Sequence, residues 1–348
     1  MLQRGILAAL GSALLFGAGT PLAKLLLTHV SPWLLAGLLY LGSGIGLTLY
    51  RLIIGAPSVK LERKEIAWFG AAILAGGVIA PVLLMLGLLS MPASGASLLL
   101  NMEGVFTALL AWFVFKENFD RRIALGMALI VVGALILSWP SEINFSGIWP
   151  SLAVLGACFA WGLDNNLTRK ISLSDAAWIA SIKGLIAGTV NLILAFTLGA
   201  YLPSLFNLAG SMIVGLFSYG VSLTLFVIGL RHLGTARTGA YFSVAPFFGA
   251  LLAIALGDPI TLPLIVTGIL MTAGIWLHLS EHHDHLHVHK PIDHEHEHSH
   301  DEHHQHTHAK TEVAGITHAH RHSHEPIKHS HSHFPDAHHQ HNHDELTK

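Results

Sequence analysis

Two groups of side chains in this sequence could do chemistry, and they sit in very different company. Near the C-terminal end histidine recurs at every second position: His283, His285, His287 and His289; His294, His296, His298 and His300; His318, His320, His322 and His324; His329, His331 and His333. In an extended chain that spacing sets the imidazoles on one side, and in a flexible chain several can converge on one ion. Imidazole suits zinc, nickel, copper and cobalt, so this tail is expected to bind a divalent transition metal. At four ligands per zinc, the 24 histidines after residue 280 could hold roughly six ions. The ligand is neutral imidazole, so affinity should collapse below about pH 6.

The second group lies inside apolar surroundings. Glu103 stands near the middle of a long apolar stretch, with Asn101 just before it and Gly104 just after. An ionised carboxylate at mid-bilayer costs on the order of 2.5–3.5 kcal/mol on insertion scales, so Glu103 should face protein or water, or take up a proton. A carboxyl that exchanges protons at that depth is what proton-coupled transport requires, and a buried structural hydrogen bond is the bland alternative. Lys183 lies well inside another stretch. It reads as the counter-ion of Glu103, as an anion-binding group, or as a lysine whose head reaches back to the interface. Asp164, Asn165 and Asn166 mark either a cavity mouth or an interfacial helix end, and Asn191 is a weaker candidate. Arg231, His232 and Arg237 read as headgroup-facing charges.

These residues need elements to hold them, and composition says which kind. Apolar residues make up 52% of the 348 positions and charged ones only 11%, against roughly 45–50% and 25% in soluble domains. A water-soluble domain is excluded. Ten apolar stretches of about 20 residues, the length that crosses a ~30 Å hydrocarbon layer, run near 5–27, 32–54, 65–89, 92–115, 122–139, 148–168, 175–198, 207–230, 237–256 and 260–279. Lipid offers no hydrogen bonds and the stretches do not alternate, so the expected fold is an all-α polytopic membrane protein. Arg51, Lys60, Arg63, Lys64, Lys116, Arg121, Arg122, Arg169 and Lys170 gather in alternate links, with only Lys24 on the other side. That bias predicts both termini in the cytoplasm. One cysteine, Cys158, excludes a disulfide framework.

The chain also repeats itself. Residues 7–24 match 152–169, with Leu7/Leu152, Ala8/Ala153, Gly11/Gly156, Gly17/Gly162 and Leu22/Leu167 identical. Farther on, Gly87-Leu88 matches Gly229-Leu230, and Ala108-Leu-Leu-Ala111 matches Ala250-Leu-Leu-Ala253. Arg4 before an apolar run has the look of a cleaved signal, but its internal copy argues that the first helix is retained. Five helices per copy is an odd number, so the second copy should enter the membrane from the opposite side, the plan of many secondary transporters. The expected division is 1–140 and 141–280 as inverted five-helix repeats, then 281–348 as a disordered, histidine-rich tail. Gly104 and Pro246 fall at matching repeat positions, where each weakens its helix and points to a central site.

Residues 5–279 resemble the EamA family of the drug/metabolite transporter superfamily. The resemblance rests on the five-plus-five plan, the repeated first-helix pattern and the stretch Asn101-Met-Glu-Gly-Val-Phe-Thr-Ala-Leu-Leu-Ala-Trp112 closing at Glu117. It implies a multi-pass carrier of small metabolites, often an exporter. The family often places proline within the fourth and ninth helices; Pro246 keeps that slot, while its partner here is Gly104. The functional expectation is a secondary transporter exporting a small metabolite or amino acid, with Glu103, Asn101, Gly104, Lys183, Asp164, Asn165 and Pro246 on the substrate and proton pathway. The alternatives are export of zinc, nickel or cobalt delivered by the tail, and a non-transporting metal sensor or store. No enzyme constellation is present and no cofactor is required, apart from metal on the tail. The expected partners are the lipid bilayer and a small-molecule or metal-ion substrate, with a homodimer as one option and no nucleic acid.

Overall fold

The chain divides into two units, Met1–Glu281 and His282–Lys348. The computed structural model describes residues 2–59, 61–114, 121–138, 145–169, 171, 174–233 and 241–279 of the first, and 284–288, 293–298, 318–323 and 328–332 of the second. Lys60, Lys116, Glu117, Lys170, Arg237 and, in the tail, His283, His289, His300, His324 and His333 lie outside the described residues.

A backbone surrounded by apolar side chains can bond only to itself, and every regular element described in the first unit is a helix. In order these are α1 (Leu2–Leu26), α2 (Pro32–Ile53), α3 (Arg63–Ala72), a π-helical segment (Ile73–Ile79), α4 (Ala80–Ser90), α5 (Ala93–Leu99), α6 (Met102–Phe113), α7 (Arg121–Ser138) and α8 (Phe145–Arg169). There follow α9 (Ala176–Thr197), α10 (Leu205–Gly215), a second π-helical segment (Leu216–Val221), α11 (Ser222–Leu233), α12 (Ala245–Ala255) and α13 (Leu262–Leu279). Six rods are long and apolar enough to cross a membrane: Arg4–Leu26, Pro32–Ile53, Arg63–Ser90, Gly147–Thr168, Ala176–Thr197 and Leu205–Gly229. Ala124–Leu137, Ala245–Ala255 and Leu262–Leu277 are shorter apolar helices, and the fourth expected stretch is broken into α5 and α6.

Helix ends follow local chemistry. Pro32 opens α2, where its missing N–H costs nothing. Gly55, Gly199 and Gly257 stand just past α2, α9 and α12 with φ of 62°, 84° and 111°, the left-handed turn that ends a helix and that glycine adopts without strain. Asp175 caps α9 by accepting from the Trp178 N–H at 3.0 Å. Its carboxylate also pairs with Arg51, tying the end of α2 to the start of α9.

Packing contacts recur in the two halves. The α2–α9 crossing is made by glycines. A Cβ on Gly184 would lie 2.5 Å from the Gly44 nitrogen, and one on Gly188 2.6 Å from the Leu41 nitrogen. At the α7–α13 crossing, Gly274 faces the Gly126 carbonyl and Thr267 Oγ1 donates to the Gly133 carbonyl at 3.0 Å. Gly17 of α1 lies on Ala245 and Gly249 of α12, and its repeat partner Gly162 of α8 lies on Phe106 and Thr107 of α6. Without a hydrophobic drive between helices in lipid, such close backbone approach supplies the attraction. Large apolar side chains such as Leu7, Leu52, Ile53, Phe113, Leu205 and Phe206 are left on the outside.

Composition predicts no packed core for the tail. Its described residues form two separate two-stranded antiparallel ladders, β1 (Asp284–Val288) with β4 (Lys328–Ser332) and β2 (Asp293–His298) with β3 (His318–Ser323). Ladders of two strands are marginal in water on their own.

Gly184→Val should cost about 1–3 kcal/mol by forcing the α2 and α9 backbones apart, read as a lower melting temperature in detergent. Gly268→Val, where a Cβ meets nothing within 4 Å, should leave it unchanged. Burial pushes the Asp175 carboxyl upward, but the Trp178 N–H and the Arg51 guanidinium outweigh it and hold the value below the usual carboxylate range. A depressed folded-state value means that its stabilisation is complete at neutral pH and is lost as pH falls through that value. Asp175→Ala should therefore cost about 1 kcal/mol at pH 7 and progressively less in acid.

Candidate functional site

The site is built around a fault in the third rod. Pro81 has no N–H and cannot bond the Gly77 carbonyl four residues back. Just before it, the Ala80 N–H bonds to Ala75, five residues back, and so releases the carbonyl of Gly76. Two adjacent carbonyls are thereby freed inside an apolar bundle, where each must find a donor. Tyr40 Oη of α2 donates to the Gly76 oxygen at 2.5 Å and Trp161 Nε1 of α8 at 3.0 Å. Asn191 Nδ2 of α9 donates to the Gly77 oxygen at 3.1 Å. One wide turn thus fixes three neighbouring helices. Asn191 is fully buried, and its Oδ1 is one of two buried side-chain atoms without a hydrogen bond among the described residues, Ser97 Oγ being the other.

Against that turn lies a buried ion pair. Lys183 Nζ donates to Asp164 Oδ1 at 2.7 Å and to Oδ2 at 2.8 Å, and Thr168 Oγ1 donates to Asp164 Oδ1 at 2.8 Å. Asp164 and Lys183 are 6% and 5% exposed. Gly76 makes room for them, since a Cβ there would fall 2.0 Å from Asp164 Oδ2.

Glu103 occupies the next position along. The fourth rod breaks at Leu100 and Asn101, where the Asn101 N–H turns back to Leu98 and the Glu103 N–H to Leu100. Glu103 therefore sits in the first turn of α6, where the helix dipole favours a carboxylate. Asn165 Nδ2 donates to Glu103 Oε1 at 2.8 Å and to Thr107 Oγ1 at 3.3 Å. Glu103 itself is half-buried, between the exposed Asn165 and Gly104. Beside the widened turn Tyr40 packs against Tyr219. Those rings belong to an aromatic group with Phe16, Trp161 and Phe242: Phe16 is 6.2 Å from Trp161, 6.1 Å from Tyr219 and 5.3 Å from Phe242, and Tyr40 is 5.3 Å from Tyr219.

The sequence candidates fall into this arrangement unevenly. Glu103, Asn165, Asp164 and Lys183 come together, but Lys183 takes Asp164 as its partner and not Glu103. Asn166 ties α8 to α6, donating to the Thr107 and Gly162 carbonyls. Asn101 is buried and turned away, donating to Leu98 and at 3.5 Å to Met271 Sδ. Pro246 lies in the first turn of α12, just after the break at Ser243 and Val244. The ninth rod is thus interrupted where the fourth is, one turn ahead of the paired Gly104 and Pro246. Tyr40, Trp161, Thr107 and Thr168 escape sequence reading; Gly76-Gly77 ahead of Pro81 is the signal that would have found the turn that Tyr40 and Trp161 serve. Among the described residues of Met1–Glu281 no group of three metal-ligating side chains converges.

Comparison with known proteins matches the chain twice. The EamA-like transporter family covers residues 3–139 and 148–280. A protein of Methanothermobacter thermautotrophicus named "Uncharacterized transporter" is 31% identical over 295 residues, 78% of this chain and 85% of its own. A "Probable amino-acid metabolite efflux pump" of Salmonella typhimurium is 27% identical over 297 residues, 78% of this chain and 93% of its own. A solved crystal structure shares the fold with a TM-score of 0.62 at 15% identity, over 80% of this chain and 98% of the other.

Removing one partner of a buried pair strands the other charge at a cost of about 3–5 kcal/mol, whereas replacing both by apolar groups is often neutral. Asp164→Leu alone should therefore lower the melting temperature sharply, and Asp164→Leu with Lys183→Met should restore most of it. Additive losses in the double variant would remove the pair from the fold's stabilising contacts.

Proposed function

The chain belongs to the EamA-like transporter family, and from that premise we propose that it is a secondary carrier of the cell membrane exporting a small metabolite or amino acid. The observation that carries this reading is Glu103. Its carboxylate stands at the start of a half-helix, half-buried and held by the exposed Asn165. A site of that kind can take a proton, or the ammonium of a substrate, and give it up again when the surroundings change. The ion pair of Asp164 and Lys183 beside it is internally neutral, which leaves Glu103 as the uncompensated charge of the group. The Salmonella relative's name, an amino-acid metabolite efflux pump, favours cargo that carries an amino group.

In this reading the chain crosses the bilayer ten times as two inverted five-helix repeats. Both termini lie in the cytoplasm, as the distribution of Lys and Arg favours. The tail binds divalent transition metal on that side. A second reading, export of the metal itself, is favoured by the density of alternating histidine in the tail.

Liposomes holding the full-length chain decide between them. With an imposed pH gradient, labelled amino acids should move against their concentration, and Glu103→Gln should abolish gradient-driven flux without loss of insertion. Undiminished flux in Glu103→Gln would refute the role of that carboxyl. Flux of nickel or zinc in place of amino acids would transfer the assignment to the second reading.

A further inference from the structure

Histidine at alternate positions need not face anything. In the tail it faces histidine. In the β1–β4 ladder His285 lies opposite His331 and His287 opposite His329. In the β2–β3 ladder His294 lies opposite His322, His296 opposite His320 and His298 opposite His318. Every histidine of the four strands therefore has a histidine as its cross-strand partner. Alternate residues of a strand share a face, and directly opposed residues share it too. Each ladder thus gathers all its histidine positions on one face, four in the first and six in the second. The other faces carry pairs of a different kind, among them Asp284 with Ser332, Leu286 with Ser330 and Glu295 with Arg321. A slip of one residue would set these histidines against serine, alanine or arginine and send the two rows to opposite faces.

We infer that this register builds two metal sites, the first from His285, His287, His329 and His331 and the second from four of the six histidines of β2 and β3, each for a divalent ion such as nickel or zinc. The inference rests on the reading that the tail binds metal, and adds which residues act together. Opposed Cβ atoms in such a ladder are about 4.5–5.5 Å apart, and alternate positions along a strand about 6.6–6.8 Å apart. Four imidazoles on that grid can bring one nitrogen each to an ion at about 2.0–2.1 Å. The ion in turn supplies what a two-stranded ladder lacks, because binding free energy at a site absent from the unfolded chain is folding free energy.

Calorimetric titration of the full-length protein in detergent with nickel and with zinc at pH 7.5 tests this. The informative variant keeps composition and moves the row: His285→Leu with Leu286→His, and His287→Val with Val288→His. The control replaces four histidines outside the ladders, His303, His304, His306 and His308, by serine. Loss of even an outer-shell partner weakens metal sites by about 10–100-fold, so the exchanged variant should bind its tightest class of ions on the order of tenfold more weakly and hold one ion fewer. The control should keep the wild-type affinity of that class. An unchanged melting temperature of the membrane unit shows that both variants are folded there. Wild-type binding by the exchanged variant, or equal weakening in the control, overturns the paired sites while leaving a metal-binding tail intact. Binding of neither ion by the wild-type protein removes the tail reading as well.

Discussion

A carbonyl inside a lipid-facing bundle has no water to turn to, and the structure depends on how two such groups are satisfied. Pro81 and the widened turn before it release the oxygens of Gly76 and Gly77. The donors come from Tyr40, Trp161 and Asn191, one each from α2, α8 and α9. Those helices belong to both halves of the chain, so the fault in one rod locks the halves together. It also sets the depth of the charged group. Trp161 is nearly one turn before Asp164 on α8, and Lys183 two turns before Asn191 on α9, so pinning the ring and the amide brings the carboxylate and the ammonium into register.

The scaffold is nearly symmetric and its chemistry is not. The π-helical segments begin at Ile73 and Leu216, at equivalent points of the two repeats, and the breaks at Asn101 and Ser243 correspond as well. Yet Phe16 of the first copy corresponds to Trp161 of the second. Glu103 has Ala245 as its counterpart. Duplication supplied the frame, and substitution at matched positions made the interior one-sided.

Much of the frame was legible in the sequence, because a helix in lipid is dictated by length and hydropathy. All ten expected stretches contain helix among the described residues, and Pro32 opens α2. Glu103 and Lys183 announced themselves as charges in apolar company. Their pairing did not. Lys183 could be matched with Glu103 on depth alone, and the choice of Asp164 depends on the rotation of α8, which hydropathy does not encode. The first widened turn left only Gly76-Gly77 ahead of Pro81 as its mark, a signal that hydropathy does not carry. In the tail the spacing of histidine was plain, but the strand opposite each one depends on pairing between segments far apart in sequence.

The glycine seam between α2 and α9 has a mechanical meaning. Where Gly44 lies on Gly184 and Gly188 on Leu41, main chain meets main chain, with no side-chain rotamers to absorb a shift. Such a joint resists sliding, because a shift of one residue would drive a Cβ into the opposing backbone. The pair is therefore held in one register along its length, with one helix from each half.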